Sequence, residues 1–141
     1  MLFRRVIFYF LSFTWGALLS VPGAVIILAL AIFKRVHVFH GRLYGVVGKN
    51  WGGLELGCFF ICGENCQYTQ LMAHECGHGI QNTIWGPLFL FIIFLPSCIR
   101  YWYRFLKYER KGINPPTAYD DIWFEGQATD WGLDFVTTDK I

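Results

Sequence analysis

Between Arg4-Arg5 and Lys34-Arg35 no charged side chain interrupts the chain from Val6 to Phe33. A bilayer crossing takes about 20 apolar residues, so this run predicts one tilted or kinked helix, or a re-entrant hairpin divided at Pro22-Gly23. A cleaved leader fits less well. Its apolar core would be about 7–15 residues ahead of a small-residue cleavage site, whereas this run continues beyond Pro22 as far as Phe33. From residue 36 the pattern changes. Val36-His37-Val38-Phe39 and Leu43-Tyr44-Gly45-Val46-Val47 flank His40-Gly41-Arg42 and predict a hairpin with a glycine turn. Leu54 to Cys62, after the punctuation Trp51-Gly52-Gly53, predicts a third strand. Three strands with one apolar face need a helix to cover them.

Gly63-Glu64-Asn65 ends the strand pattern, and Asn65 predicts the N-cap of a helix running from about Cys66 to Asn82. Trp85-Gly86-Pro87 then opens an apolar run from Leu88 to Ile99, interrupted by Pro96. That run is short for a span and suits a buried, re-entrant or interfacial segment. Arg100, Arg104, Lys107, Arg110 and Lys111 follow it, as at a lipid headgroup boundary. Asn114-Pro115-Pro116 predicts a loop, because residues before proline avoid the helical region. A last helix is expected to start near Asp120-Asp121, acids suited to an N-terminal turn. It carries Trp123, Phe124, Glu125, Ala128 and Trp131 at roughly helical spacing. The expected fold is therefore α+β and membrane-associated, with a small antiparallel sheet. Residues 1–35 form an N-terminal membrane segment, and residues 36–141 form one domain with a second apolar segment at 84–99.

Composition supports a membrane for the surplus apolar surface. The 141 residues are 55% apolar and 16% charged, against about 25% charged in an average globular protein. A chain of this length has one core and buries only part of its surface. All six basic residues of the first fifty (Arg4, Arg5, Lys34, Arg35, Arg42, Lys49) fall in a stretch without any acid. Nucleic-acid binding needs a basic face interleaved with exposed aromatics and amides, and that pattern is missing. Lipid is the expected partner, in a bacterial inner membrane, with the polar part on the cytoplasmic side where Lys and Arg clusters accumulate. The five cysteines (58, 62, 66, 76, 98) are read as free thiols on the reducing side of a membrane or within it.

Chemistry concentrates in His74-Glu75-Cys76-Gly77-His78. Two histidines four apart lie one turn apart on the same helix face, and two imidazoles so placed bind one metal ion with the glutamate beside it. Neutral imidazoles suit zinc, which takes three protein ligands at a catalytic site and keeps a fourth position for water. Glu75 would accept that water's proton during attack on a carbonyl. For the third ligand the downstream carboxylates are Glu109, Asp120, Asp121, Glu125, Asp130, Asp134 and Asp139. Glu125 is favoured because it sits in an apolar helix beside Phe124 and the small Gly126, with Asp121 and Asp130 in reserve. Cys58, Cys62 and Cys66 lack a CxxC pair and predict no second metal site. His37 and His40 flank a turn and are read as solvated or interfacial. Tyr119 is a donor for a transition-state oxygen that no spacing selects.

His74-Glu75-Cys76-Gly77-His78 followed by Glu125-Gly126-Gln127-Ala128-Thr129 resembles the gluzincin metallopeptidases. The resemblance implies a zinc ion on His74, His78 and Glu125, with Glu75 as general base and a peptide or protein as substrate. It also implies that the strand before the zinc helix, about Leu54–Ile61, receives an extended peptide by strand addition. This chain departs from the family at Thr129, where the pattern places an aspartate, although Asp130 follows. The string from His74 to Ser97 is similar, too, to a group of small bacterial membrane proteins with the same zinc-helix signature. Three other readings compete with a zinc peptidase. One is an intramembrane protease of the site-two kind, which adds an Asp-Gly motif absent here. Another is a silent membrane protein whose zinc is structural and closed by a fourth ligand such as Asp121 or Asp130. The last is a membrane accessory protein without metal.

Overall fold

The computed structural model describes residues 2–138. Asp139, one of the carboxylates left open as a ligand, lies outside the described residues. The order of elements is α1 (Leu2–Phe13), α2 (Ala17–Ile32), β1 (Val36–Phe39), β2 (Arg42–Val46), β3 (Gly53–Leu56), β4 (Phe59–Cys62), α3 (Thr69–Trp85), α4 (Leu95–Lys107) and α5 (Trp123–Thr138). The fold is α+β, with five α-helices and one mixed four-stranded sheet among the described residues.

The N-terminal apolar run breaks in a different place from the one expected. Pro22 sits inside α2, and the chain turns instead at residues 14–16, where α1 and α2 meet at 98°. Partners at that corner decide the matter. Asn82 Nδ2 donates to Gly16 O at 3.2 Å, and Trp15 Nε1 donates to Ile84 O at 3.2 Å. The bonds run both ways: a side chain of α3 satisfies Gly16 O at the corner, and the corner's indole satisfies a carbonyl in the last turn of α3. Among the described residues no single helix is long and apolar enough to cross a membrane. Two bent pairs pass that test together, α1 with α2 and Thr69–Leu88 with Leu90–Lys111, the second bent by 116°.

The sheet is mixed, in the order β1-β2-β4-β3, and not the small antiparallel one expected. The reason is that Leu54 to Cys62 is two strands. Gly57, at φ +78°, turns the chain back so that β3 pairs antiparallel with β4. A side chain at Gly57 would also run into Ser20 of α2. With β3 as the intervening strand, β4 returns parallel to β2, pairing Tyr44 with Phe60 and Val46 with Cys62. The β1–β2 hairpin is antiparallel, as expected. This places β3 on the outer edge, and α3 covers the sheet through Met72 and Cys76 packed on Tyr44, Val46, Phe60 and Cys62.

α3 starts at Thr69, three residues later than expected, and Asn65 is not its cap. Asn65 lies in a 3₁₀ turn and donates to Asn50 Oδ1 at 2.7 Å. Beyond Trp85 the chain stays helical in character, through a 3₁₀ turn at Gly86–Leu88 and a π turn at Leu90–Phe94 into α4. The π turn immediately precedes Pro96, whose missing N–H and bulky ring disfavour a regular α-helical ladder there. The basic stretch after it serves the protein itself in part. Arg100 donates to Ala118 O and Tyr119 O, and Arg104, which is buried, donates to Thr117 O. These bonds pin the loop that leads into α5.

α3 and α5 touch backbone to backbone. A Cβ at Gly77 would overlap Ala128 O, and one at Gly132 would overlap Ala73 O. No larger residue fits at either point. This close approach sets the geometry of everything between the two helices.

Candidate metal centre

His74 and His78 project from α3 toward α5, and α5 answers with Glu125. Both Nε2 atoms lie 3.1 Å from the same oxygen, Glu125 Oε2. The three candidate ligand atoms fall within 4.8 Å of one another. Glu125 is fully buried, His78 is buried, and His74 is half-buried. The reserves stand elsewhere: Asp130 is exposed, and Asp121 Oδ2 accepts from Ala118 N at 2.9 Å.

The outer hydrogen bonds reveal which nitrogen carries the proton. Gln81 Nε2 donates to Phe124 O at 2.9 Å and to Gln127 Oε1 at 3.0 Å. Its Oε1 is therefore the acceptor facing His78 Nδ1 at 2.7 Å, and Nδ1 carries the hydrogen. The same logic holds for His74. Thr129 Oγ1 donates to Asp120 Oδ2 at 2.8 Å and accepts from His74 Nδ1 at 2.8 Å. In the neutral rings both Nε2 atoms then present lone pairs to a carboxylate oxygen. The three candidate ligand atoms converge at the wall of a cleft, and such a set can hold one metal ion.

Burial raises the Glu125 carboxyl, and hydrogen bonds from His74 and His78, with positive charge on His78, bring it well below the usual carboxylate range; with both Nε2 atoms unprotonated, a bound cation would take that part. Its second oxygen, Oε1, is buried without a hydrogen-bond partner. Glu75, next to His74 and also buried, is pushed up to about 7 by burial, with the Glu125 charge adding to the effect and His78 opposing it. Gly53 of β3 lies against the Glu75 carboxylate, where a side chain would displace it.

These groups face a cleft of about 410 Å³ between β3, α3, α4 and the loop before α5. Two further residues there stand out. Tyr119 faces the cleft, its phenol raised by burial first and by the Glu125 charge next. Glu55 of β3 is 3% exposed, and no side chain bonds to its carboxylate; the Gly57 backbone N–H is the group near it that favours the charged form. Burial, and then the Glu75 charge, raise its carboxyl well above the ordinary range.

The structure thus brings together His74, Glu75, His78 and Glu125. It keeps Asp121, Asp130 and Cys58, Cys62 and Cys66 out of the ligand group. Gln81 stands three residues after His78 on the same face of the helix, yet nothing in the motif marks it as the partner of His78. Glu55 was signalled only as an acid between two leucines. Asp120 stands in the sequence as a helix-start acid and one of the open carboxylates, but its bond to Thr129 has no local signature. Set against known proteins, the chain matches no family model, no curated protein and no solved structure.

Proposed function

We propose that the protein is a membrane-associated zinc peptidase of the gluzincin kind. One observation carries the reading. Two imidazole lone pairs and one carboxylate oxygen converge in an open cleft beside a buried glutamate, and no fourth His, Cys, Asp or Glu among the described residues joins them. A structural zinc site is closed by four protein ligands, whereas a catalytic one keeps a position open. Each Nε2 lies 3.1 Å from Glu125 Oε2 and the three atoms fall within 4.8 Å of one another, within reach of one ion.

His74, His78 and Glu125 would hold the zinc ion, which would supply Lewis acidity toward a water molecule and a carbonyl oxygen. The chain's own residues do the rest. Glu75 takes the proton from the attacking water as the new C–O bond forms. It then delivers that proton to the amine nitrogen as the C–N bond breaks. A carboxyl near neutrality suits both transfers. Tyr119 keeps its phenolic proton and donates toward the oxygen on which negative charge develops. The edge strand β3 borders the cleft and offers backbone groups to an extended peptide.

Support for the membrane lies in the helices. Val25, Leu28, Ile32 and Phe33 are all more than 60% exposed along or just after α2, and Phe91 and Ile99 are as open on the segment that reaches into α4. Apolar patches of that extent mark contact with lipid or another protein. The bent pair α1–α2 and the segment at 84–99 would rest in the cytoplasmic leaflet of an inner membrane as re-entrant or interfacial elements, with the cleft in water.

The test compares purified wild type with Glu75→Gln by elemental analysis and by hydrolysis of a mixed peptide substrate. One zinc per chain is expected in both, with hydrolysis lowered by about 10²–10⁴-fold in the variant. Well-folded wild type without zinc would end this reading. Zinc in both with no hydrolysis in either would leave a structural site.

A further inference from the structure

A second cavity, of about 550 Å³, opens on another face of α3. Ile80 and Thr83 border it, and Ile80 lies about 200° around the helix from His78. The other walls are α1, the β1–β2 turn and α5. The turn is held in place tightly: His40 and Gly41 both have positive φ, 46° and 80°, and Tyr9 Oη donates to Gly41 O at 2.7 Å.

The lining combines apolar surface with positive charge. Ile7, Leu11 and Ile80 contribute the first, and Arg4, Arg5 and Arg42 the second, with Asp134 the one acid of this lining among the described residues. Arg42 is the telling residue. It is only 4% exposed, yet its charge meets no carboxylate in an ion pair among the described residues. Nη1 donates to Cys76 O at 2.8 Å, and the guanidinium carbon lies 4.0 Å from the ring centroid of Phe8 and 4.7 Å from that of Phe135. Nε is buried with no partner. Glu55 feels Arg42 at longer range, but burial holds that carboxyl toward its neutral form. A buried cation is costly unless an anion compensates it.

We infer that this cavity binds a single-chain anionic amphiphile, its acidic head on Arg42 and its hydrocarbon tail along Ile7, Leu11 and Ile80. The volume lies within the range of small-molecule sites, about 300–1,000 Å³. Arginine is the side chain best shaped for a carboxylate or phosphate. α1 forms one wall and exposes Phe3 and Phe10 beside it, so a chain drawn from a lipid surface reaches the cavity along apolar residues. A fatty acid and a lysophospholipid share this chemistry.

The experiment uses the purified full chain in a neutral maltoside detergent, with bound ligand counted by native mass spectrometry. Palmitate, palmitoyl lysophosphatidate and hexadecanol are titrated separately. At least one of the two anions is expected to bind once per chain, about tenfold or more tighter than hexadecanol. Preference for palmitate assigns the free acid; preference for the lysophosphatidate assigns a phosphate headgroup. Arg42→Gln is expected to weaken the anion by about tenfold or more without affecting hexadecanol. If that variant fails to fold, the contrast between anion and alcohol in the wild type decides alone. Equal binding of hexadecanol, absence of saturable anion binding, or undiminished binding by a folded Arg42→Gln protein overturns the inference.

Discussion

One helix separates two cavities of opposite electrical character. Toward β3 and α5, α3 faces Glu55, Glu75 and Glu125 with two imidazoles. Toward α1 it faces Arg4, Arg5 and Arg42. The first space gathers the three candidate ligand atoms, and in the second a buried guanidinium meets no carboxylate in an ion pair among the described residues. The difference lies in how the polar atoms are fixed. Around the histidines each Nδ1 is tied to a side chain that is itself tied to a third group. Arg42, by contrast, is steadied by one carbonyl and two aromatic rings. Hydrogen-bonded support favours a geometrically strict ligand such as a metal ion, and aromatic support tolerates ligands of varied head and length.

The contrast is open to attack at several points. The largest effect is expected from His78→Ala, which removes a ligand outright. Metal content should fall to background, and the stabilisation that added metal gives in thermal unfolding should vanish, because metal binding and folding are coupled. Retention of full metal content by this variant would mean that the two sides of α3 do not differ in the way described. A smaller loss is expected from Thr129→Val, which cuts the link from His74 to Asp120 while keeping shape. Metal affinity measured against a chelator should drop by about 10–100-fold, with Thr129→Asp restoring much of it. Smallest is Gly132→Ala, which forces α5 away from Ala73. Chemical denaturation should show a loss of about 1–3 kcal/mol, as overpacking costs. Metal affinity should fall with it, since Glu125 rides on the displaced helix.

The sequence was most informative where local geometry decides. His74, Glu75 and His78 follow from helical periodicity alone, and Glu125 from its apolar surroundings in a helix. Their meeting in space needed Gly77 and Gly132, whose role in the approach of α3 to α5 has no local signature. The corner at residues 14–16 was hidden for a similar reason, since Asn82 and Ile84, far along the chain, hold it. Pro22-Gly23 gave the stronger local signal for a break and yet lies inside α2. Within Leu54 to Cys62 the apolar content masked the turn at Gly57, and with it the parallel pairing of β2 with β4. Thr129 looked like a departure from the peptidase pattern. In the structure it passes the hydrogen bond on to Asp120, so an acid still stands behind His74, one residue removed.

The backbone contact between α3 and α5 also bears on the order in which the molecule is assembled. It joins Ala73 to Gly132 and Gly77 to Ala128, segments separated by most of the second half of the chain. Contacts between distant segments must first overcome the entropy of closing the intervening loop. On a ribosome both histidines emerge well before Glu125, so the ligand set is completed only when α5 arrives and docks. The nascent sheet and α3 therefore have to persist for a time with two imidazoles facing an unfinished space.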